Sequence, residues 1–231
     1  MSSKILIVDD EREIADLVEV YLQNENYTVF KYYSAYDALE CIEKVNLDLA
    51  ILDVMLPDGN GLRICRQIRE KHNYPVIMLT AKDEEIDKIT GLTLGADDYI
   101  TKPFHSLEMV ARVKAQLRRY KKYNTVPAQE NMVIMHSGLV IDVNTHECLL
   151  NEQPLSLTPT EFSILRILCE QKGNVVSSEQ LFHEIWGDEY FNKSNNTITV
   201  HIRHLREKMK DSVENPKYIK TVWGVGYKIE K

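Results

Sequence analysis

Four apolar runs in this sequence each end on a residue type that phosphoryl transfer uses. The residues that follow or close these runs are Asp9 with Asp10, Asp53, Thr80 and Lys102. An aspartate carboxylate can accept a phosphoryl group as an acyl phosphate, and a lysine ammonium is a compact charge that suits a phosphate oxygen. Three carboxylates placed together repel one another, which implies a hard cation such as Mg²⁺ beside them. The pattern therefore predicts a phosphoacceptor site in which Asp53 is the nucleophile.

The elements that must position these residues are strands of a parallel sheet. Apolar runs at 5–8, 49–52, 76–79 and 99–101 alternate with amphipathic stretches, and a weaker run at 27–30 supplies a further strand. Such runs are typical of parallel strands buried on both faces, and ligands bind outside the carboxyl ends of these strands. Five strands and five helices in the doubly wound, flavodoxin-like order are predicted, with helical patterns near residues 14–22, 38–42, 62–68, 86–92 and 107–117.

The alternation of strands and helices stops after residue 122, which predicts two domains in the 231-residue chain. Residues 121–132 (KKYNTVPAQENM) are polar and without period, as expected of a linker. We predict a receiver-like domain at 1–122, a linker at 123–131 and a second domain at 132–231. The absence of a long apolar stretch or an N-terminal signal pattern predicts a cytoplasmic protein without a membrane span. The four cysteines lie singly among aliphatic residues and are predicted to be core residues.

Charge is distributed unevenly along the chain. Its net value is −7, and residues 124–192 contain two Lys or Arg against ten Asp or Glu, whereas 193–231 contain nine against four. A basic C-terminal end on an acidic chain is typical of a small DNA-contacting surface, although charge alone also fits an ordinary solvated face.

A helix at 196–209 is predicted to be the DNA-reading element. The apolar residues Ile198, Ile202, Leu205 and Met209 form a narrow stripe, and the opposite face presents polar and basic residues. These outward residues are Asn196, Thr199, Arg203, Arg206 and Lys210. Two helices precede it, one opened by a capping box at Thr158 and one beginning near residue 178. Residues 133–157 predict a small antiparallel sheet, and residues 218–229 predict a β-hairpin wing.

The ordered motifs resemble those of one bacterial family. The receiver motifs are Asp9-Asp10, Asp53, Thr80, 95–99 (GADDY), Lys102-Pro103 and 117–119 (LRR); the C-terminal motifs are 157–162 (LTPTEF), 200–206 (VHIRHLR) and 224–227 (GVGY). Together they resemble response regulators of the OmpR/PhoB class, with a winged helix-turn-helix domain of α+β type after the receiver. Within that class the chain is similar to vancomycin-resistance regulators, which implies control of those genes.

The resemblance implies roles for individual residues. Asp10 and Asp53 would bind Mg²⁺ directly, Asp9 through water, and the Met55 carbonyl would complete the protein ligands. Thr80 and Lys102 would contact the phosphate, and Tyr99 would rotate as a switch, although in isolation Tyr99 equally fits a strand aromatic. Implied partners are a sensor histidine kinase, promoter DNA, RNA polymerase and a second copy of the chain. The resemblance implies dimer pairs of Lys88 with Glu108, Asp97 with Arg112, and Asp98 with Arg118 or Arg119.

The predicted DNA contacts include one departure from the family. Base reading is expected from Thr199, Val200, Arg203 and His204, with Asn196 at the helix start, and phosphate contacts from His201, Arg206 and Lys220. The family usually has arginine before the wing's Gly-x-Gly-Tyr, whereas this chain has Trp223. An indole lacks the charge that a narrow minor groove attracts. Trp223 would therefore pack on the wing and sugar edge, or Lys228 would supply the missing cation.

Two other classes of function compete with regulation of transcription. An aspartyl phosphatase would have a second acid two residues after the nucleophile, whereas the chain reads Asp53-Val54-Met55. A dinucleotide-dependent oxidoreductase would have G-x-G-x-x-G after the first strand, and none is present there. A DNA-binding protein whose receiver only dimerises also remains open. The sequence therefore favours a phosphorylation-controlled activator of transcription that is not an enzyme.

Overall fold

The structure, a computed structural model, describes residues 2–81, 95–124, 133–187 and 196–231. It divides into two compact units, Met1–Leu117 and Arg118–Lys231. The described residues contain no helix long and apolar enough to cross a membrane. All four cysteines are buried and free, as predicted.

The first unit is built on a five-stranded parallel sheet. Its strands are β1 (Lys4–Val8), β2 (Thr28–Tyr32), β3 (Leu49–Asp53), β6 (Val76–Ala81) and β7 (Asp98–Lys102), and β4 (Met55–Leu56) and β5 (Gly59–Asn60) form a separate short hairpin. The sheet order is β2-β1-β3-β6-β7. This is the flavodoxin-like order of a doubly wound sheet, so the predicted topology is confirmed.

Four described helices accompany this sheet. They are α1 (Arg12–Asn24), α2 (Ala35–Lys44), α3 (Gly61–Lys71) and α4 (Ser106–Asn124). Side chains fix two of the helix starts, because the Ser34 hydroxyl accepts from the Asp37 amide and the Asn60 carboxamide accepts from the Leu62 amide. The pattern at 86–92 lies outside the described residues. Helix α4 continues to Asn124 and residues 125–132 are outside the described ranges, so the linker at 123–131 stays a prediction.

The second unit contains two small antiparallel sheets and three helices. One sheet has the order β11-β10-β9-β8, and the other has the order β12-β14-β13. Its elements are β8 (Val133–His136), β9 (Leu139–Asp142), β10 (Glu147–Leu150), β11 (Gln153–Pro154), α5 (Pro159–Glu170), β12 (Val176–Ser177), α6 (Ser178–Trp186), α7 (Asn196–Met209), β13 (Ile219–Val222) and β14 (Gly226–Ile229). The predicted sheet, helices and hairpin wing are thus all present.

Local chemistry explains where the second unit's helices begin. Thr158 and Glu161 form a reciprocal capping box at the start of α5, with Pro159 at the first helical position. Ser177 and Gln180 form a second capping box at the start of α6. The apolar stripe of α7 packs into the core of this unit together with α5, α6 and the wing strands. The core therefore holds α7 and the wing in place.

Candidate phosphoacceptor site and nucleic-acid interface

The carboxyl edge of the parallel sheet brings together the residues that end its strands. Strands β3, β6 and β7 are neighbours, with Asp53 opposite Leu79 and Ala81 opposite Lys102. Ligand oxygens of Asp9, Asp10 and Asp53 lie within 4.8 Å of one another. Asp9 and Asp53 are buried, and Asp10 is exposed. The predicted acidic cluster is therefore present as one site.

Lys102 is the cation at the centre of this site. Its Nζ lies 2.5 Å from Asp53 Oδ2 and 2.9 Å from Asp9 Oδ2. It also lies 2.9 Å from Oε1 of Glu11, an exposed residue that directly precedes α1. Sequence reasoning missed Glu11, because an exposed glutamate before a helix gives no signal of its contact with a lysine 91 positions away. Three carboxylates thus share one ammonium group.

The charge balance of the site shifts two pKa values. Burial is the main reason that the pKa of Asp9 rises from 3.8 to about 6; the neighbouring charge of Asp53 also raises it, while Lys102 lowers it. Burial lowers the pKa of Lys102, but its hydrogen bonds to Asp53, Asp9 and Glu11 outweigh that effect and raise the pKa above its ordinary value. The buried carboxylates are therefore short of positive charge even with Lys102 in place.

This deficit, together with the oxygen-only donor set, fits a hard divalent cation. Mg²⁺ is bound through one or two carboxylates and keeps several waters, which an exposed Asp10 and a partly open site allow. The acidic cluster of Asp9, Asp10 and Asp53 could hold such an ion. Met55 adjoins the cluster, since its amide donates to Asp53 Oδ1 at 3.0 Å. The assignment of its carbonyl as a ligand stays a prediction.

Gly61 is a further residue of the site that sequence reasoning missed. A Cβ built on Gly61 would lie 1.9 Å from the Asp53 carbonyl oxygen, and the Gly61 amide donates to the Val54 carbonyl at 3.0 Å. The first residue of α3 therefore packs directly against the backbone of Asp53. Only glycine permits this approach, because any side chain would displace the phosphoacceptor backbone.

Thr80 and Tyr99 occupy the neighbouring strands. Thr80 is buried on β6, one position after the residue that pairs with Asp53, and it lies opposite Thr101. Tyr99 is half-buried on β7. Their placement puts both on the strands that end at the site, while their roles as phosphate contact and switch stay predictions.

The acidic residues predicted at a dimer interface pair within one chain instead. Asp97 is fully buried. Its Oδ2 accepts hydrogen bonds from Arg69 Nη2 at 2.6 Å and from the Val76 amide at 3.0 Å. Asp98 is buried and lies 3.0 Å from Arg112 Nη1. The intermolecular pairs of Asp97 with Arg112 and of Asp98 with Arg118 or Arg119 stay predictions, and they would compete with these intrachain contacts.

Glu108 completes this intrachain group, because its Oε1 lies 2.9 Å from Arg112 Nη2, one helical turn away. Lys88, its predicted partner across the dimer, lies outside the described residues. Arg118 is exposed on α4. The residues left accessible on this helix therefore include Arg118, but not the buried Arg112.

In the second unit, part of the predicted α7 surface is accessible. Thr199 and Arg203 are exposed, and Arg203 forms an exposed ion pair with Glu207 at 2.8 Å. Lys210 is also exposed at the end of the helix. The Asn196 side chain lies outside the part of the chain that the structure describes. The accessible face of α7 thus runs along Thr199, Arg203, Glu207 and Lys210.

The side chains of the other predicted DNA contacts on α7 are buried within the unit, and their contacts with DNA stay predictions. His201 is 1% exposed beside Trp186, His204 is 4% exposed, and Val200 is 9% exposed. Arg206 is 7% exposed and its Nη2 donates to the Ile219 carbonyl at 2.7 Å and to the Thr221 hydroxyl at 2.9 Å. Arg206 therefore anchors the helix to wing strand β13, and its predicted phosphate contact stays a prediction.

The wing presents an exposed tip. Trp223 is 85% exposed, beside Gly224 at φ +73°, and the Val225 amide donates to the Val222 carbonyl at 2.9 Å to close the turn. Trp223 does not pack on the wing. The two lysines that could supply a cation, Lys220 and Lys228, both pair with Glu230, at 3.0 and 3.1 Å. The tip of the wing therefore exposes the Trp223 indole, and Glu230 partly neutralises the two lysines on the wing strands.

Comparisons with known proteins agree with this two-part arrangement. Residues 5–114 match the family described as response regulator receiver domain, and residues 152–229 match transcriptional regulatory protein, C terminal. The chain is 79% identical over 231 residues to Regulatory protein VanR of Enterococcus faecium, and 54% identical over 232 residues to Regulatory protein VanRc of Enterococcus gallinarum; both alignments cover all of both chains. Among solved structures, the response regulator DrrB, an OmpR/PhoB homologue from Thermotoga maritima, is 33% identical with a TM-score of 0.53, again over all of both chains.

Proposed function

The chain belongs to the OmpR/PhoB class of response regulators, and we propose that transfer of a phosphoryl group to Asp53 controls its binding to promoter DNA. The observation that carries the proposal is the position of Lys102 Nζ, 2.5 Å from Asp53 and 2.9 Å from Asp9, at the end of adjacent parallel strands. A nucleophilic carboxylate, a phosphate-binding ammonium and further acids for a cation thus meet at one edge. The proposed phosphodonor is a sensor histidine kinase.

The proposed transfer follows from these groups. A carboxylate oxygen of Asp53 forms a bond to phosphorus as the bond from phosphorus to the donor's imidazole nitrogen breaks, and the imidazole leaves with the electron pair. Lys102 neutralises a phosphate oxygen as charge accumulates there. Mg²⁺, when bound by Asp10, Asp53 and the Met55 carbonyl, with Asp9 acting through water, would supply further positive charge to the phosphate oxygens. The Thr80 hydroxyl then donates to phosphate, and Tyr99 rotates toward the space that Thr80 leaves.

Labelling with a small phosphodonor and Mg²⁺ tests the phosphoacceptor. Asp53→Asn should abolish acid-labile phosphate at every Mg²⁺ concentration. Asp10→Asn should reduce labelling at low Mg²⁺ and regain it as Mg²⁺ rises, because only the cation site is weakened. Asp48→Asn is the matched control, since Asp48 accepts from the Lys4 amide at the opposite end of the sheet. Labelling of Asp53→Asn equal to that of the unmodified chain would make the assignment wrong.

The proposed DNA surface consists of the exposed face of α7 and the tip of the wing. Thr199 and Arg203 are its proposed base readers, with Asn196 at the start of the helix, and Lys220 and Trp223 are its proposed contacts from the wing. Arg203→Ala should cost about 1–3 kcal/mol on the operator and relax the base preference at one position. Operator sequences can be obtained by selecting random DNA with the phosphorylated chain. Equal losses on operator and random DNA would show that Arg203 only positions the protein.

The regulated process and the remaining partners are also proposals. The chain's similarity to VanR supports control of vancomycin-resistance genes as an activator, which requires contact with RNA polymerase. The proposed location is the cytoplasm, because promoter DNA is the proposed target. Measuring transcription of genes beside this one, with Asp53→Asn as the inactive comparison, tests the process directly. Unchanged transcription in that variant would exclude phosphorylation as the control.

A further inference from the structure

Three side chains of metal-binding type meet within the second unit, and none of them belongs to the exposed face of α7. Glu161 lies in the first turn of α5, and His201 and His204 lie one turn apart on α7. One ligand atom from each residue lies within 4.8 Å of those of the other two, and the three residues are 1%, 1% and 4% exposed. Residues three apart share a face of a helix, so both imidazoles can turn toward the carboxylate.

The carboxylate already attracts a cation. Glu161 Oε2 lies 2.5 Å from Lys208 Nζ and accepts from the Thr158 amide at 2.8 Å. Lys208 is 36% exposed, so its ammonium can move into solvent without a large loss of packing. A carboxylate, two imidazoles and an exchangeable ammonium are therefore assembled at one point.

We propose that Glu161, His201 and His204 bind one divalent transition-metal ion such as Zn²⁺, which replaces the Lys208 ammonium at Glu161. Two nitrogens and one carboxylate oxygen form a donor set that Zn²⁺ accepts, with water in the fourth position, whereas Mg²⁺ prefers oxygen donors. Bonds of about 2.0–2.1 Å place tetrahedral ligand atoms about 3.4 Å apart, so binding requires the three ligand atoms to move closer together. The ion would join α5 to α7 independently of phosphorylation.

Co²⁺ provides the direct test, because its visible absorption reports nitrogen ligation and a four-coordinate geometry. The full chain is titrated with Co²⁺ in excess Mg²⁺, which fills the acidic site of the first unit. One equivalent should bind with intense visible bands, and Zn²⁺ should abolish them. His204→Gln should lose the bands, and His183→Gln, at a histidine outside the cluster on α6, should retain them.

Lys208→Met separates metal binding from a purely structural role of the cluster. Removing the competing ammonium should tighten Co²⁺ binding several-fold, whereas a cluster that only supports packing would show no change. This variant leaves all three ligands in place, so it decides the question even if His204→Gln unfolds. Absence of bands in both the unmodified chain and Lys208→Met would overturn the proposal. Bands of equal intensity in a folded His204→Gln protein would overturn it as well.

Discussion

At the scale of single residues, Asp9 couples the stability of the first unit to the function of its site. Its pKa is raised from 3.8 to about 6, chiefly by burial, so the carboxyl is protonated in both the folded and the unfolded chain only well below pH 3.8. As pH rises through 6, the folded protein must ionise a buried acid and loses stability. In the absence of a divalent cation, the ionised Asp9 therefore lowers the stability of the first unit.

Asp9→Asn should consequently stabilise the metal-free protein above pH 6. Each pKa unit corresponds to about 1.4 kcal/mol, and partial solvation reduces the effect, so the expected gain in the free energy of unfolding is about 1–2 kcal/mol. At pH 4 most of the gain should be lost, because the folded carboxyl is then protonated. Urea unfolding in chelator, followed by circular dichroism at pH 4 and pH 8, measures both values. A loss of stability at pH 8 would show that the ion pair with Lys102 outweighs burial.

Glu11 supplies a second prediction at this scale, because it competes with phosphate for Lys102. The pair at 2.9 Å is partly exposed and is worth about 0.2–1 kcal/mol. Glu11→Gln should therefore accelerate labelling by a small phosphodonor by about two- to five-fold at saturating Mg²⁺. Glu13→Gln, at an exposed acid two positions further along the chain and inside α1, is the matched control. Slower labelling in Glu11→Gln alone would instead make Glu11 an aid to the reaction.

At the scale of elements, the sequence predicts the acidic site better than the DNA surface, for a physical reason. Parallel strands place their carboxyl ends at one edge of the sheet. Identifying the residues at the strand ends is therefore enough to predict that Asp9, Asp53 and Lys102 lie close together. On α7 the apolar stripe correctly predicts the middle of the buried face. The buried face extends further around the helix than the stripe indicates. Helix α5 covers His201 and His204 on one side of the stripe, and β13 covers Arg206 on the other. Those neighbours are distant in sequence, so helical periodicity cannot reveal them.

The anchor between α7 and the wing can be tested through Arg206. Arg206→Met retains the aliphatic bulk but loses the hydrogen bonds to Ile219 and Thr221, which should lower the free energy of unfolding by about 1.5–3 kcal/mol. Trp186 and Trp223 are the only tryptophans in the sequence, so indole fluorescence reports this unit alone. Lys210→Met, at an exposed residue, is the control for charge. Unchanged stability with a salt slope for DNA binding reduced by about one would restore Arg206 as a phosphate contact.

At the scale of the whole molecule, the two units have separate hydrophobic cores and carry functional residues of opposite charge. The first concentrates carboxylates around one lysine, and the second carries basic residues on α7 and the wing. A phosphoryl group added to the first unit must therefore act on DNA binding through a change that reaches beyond its own site. Pairing of phosphorylated chains is the proposed route, because two linked DNA-binding units gain avidity on paired half-sites.

Asp97 and Asp98 are buried and paired within the chain, so exposed apolar residues are additional candidates for the pairing surface. Leu107 on α4 is 72% exposed, and Leu107→Glu should leave the monomer folded while preventing the dimer. Leu17→Glu, at a 47% exposed leucine on α1, is the matched control. Sedimentation velocity of protein labelled by a small phosphodonor, which needs no kinase contact, should show dimers for the unmodified chain and Leu17→Glu only. Dimers of equal stability in Leu107→Glu would place the contact elsewhere, and monomers throughout would show that phosphorylation acts on DNA binding without pairing the chains.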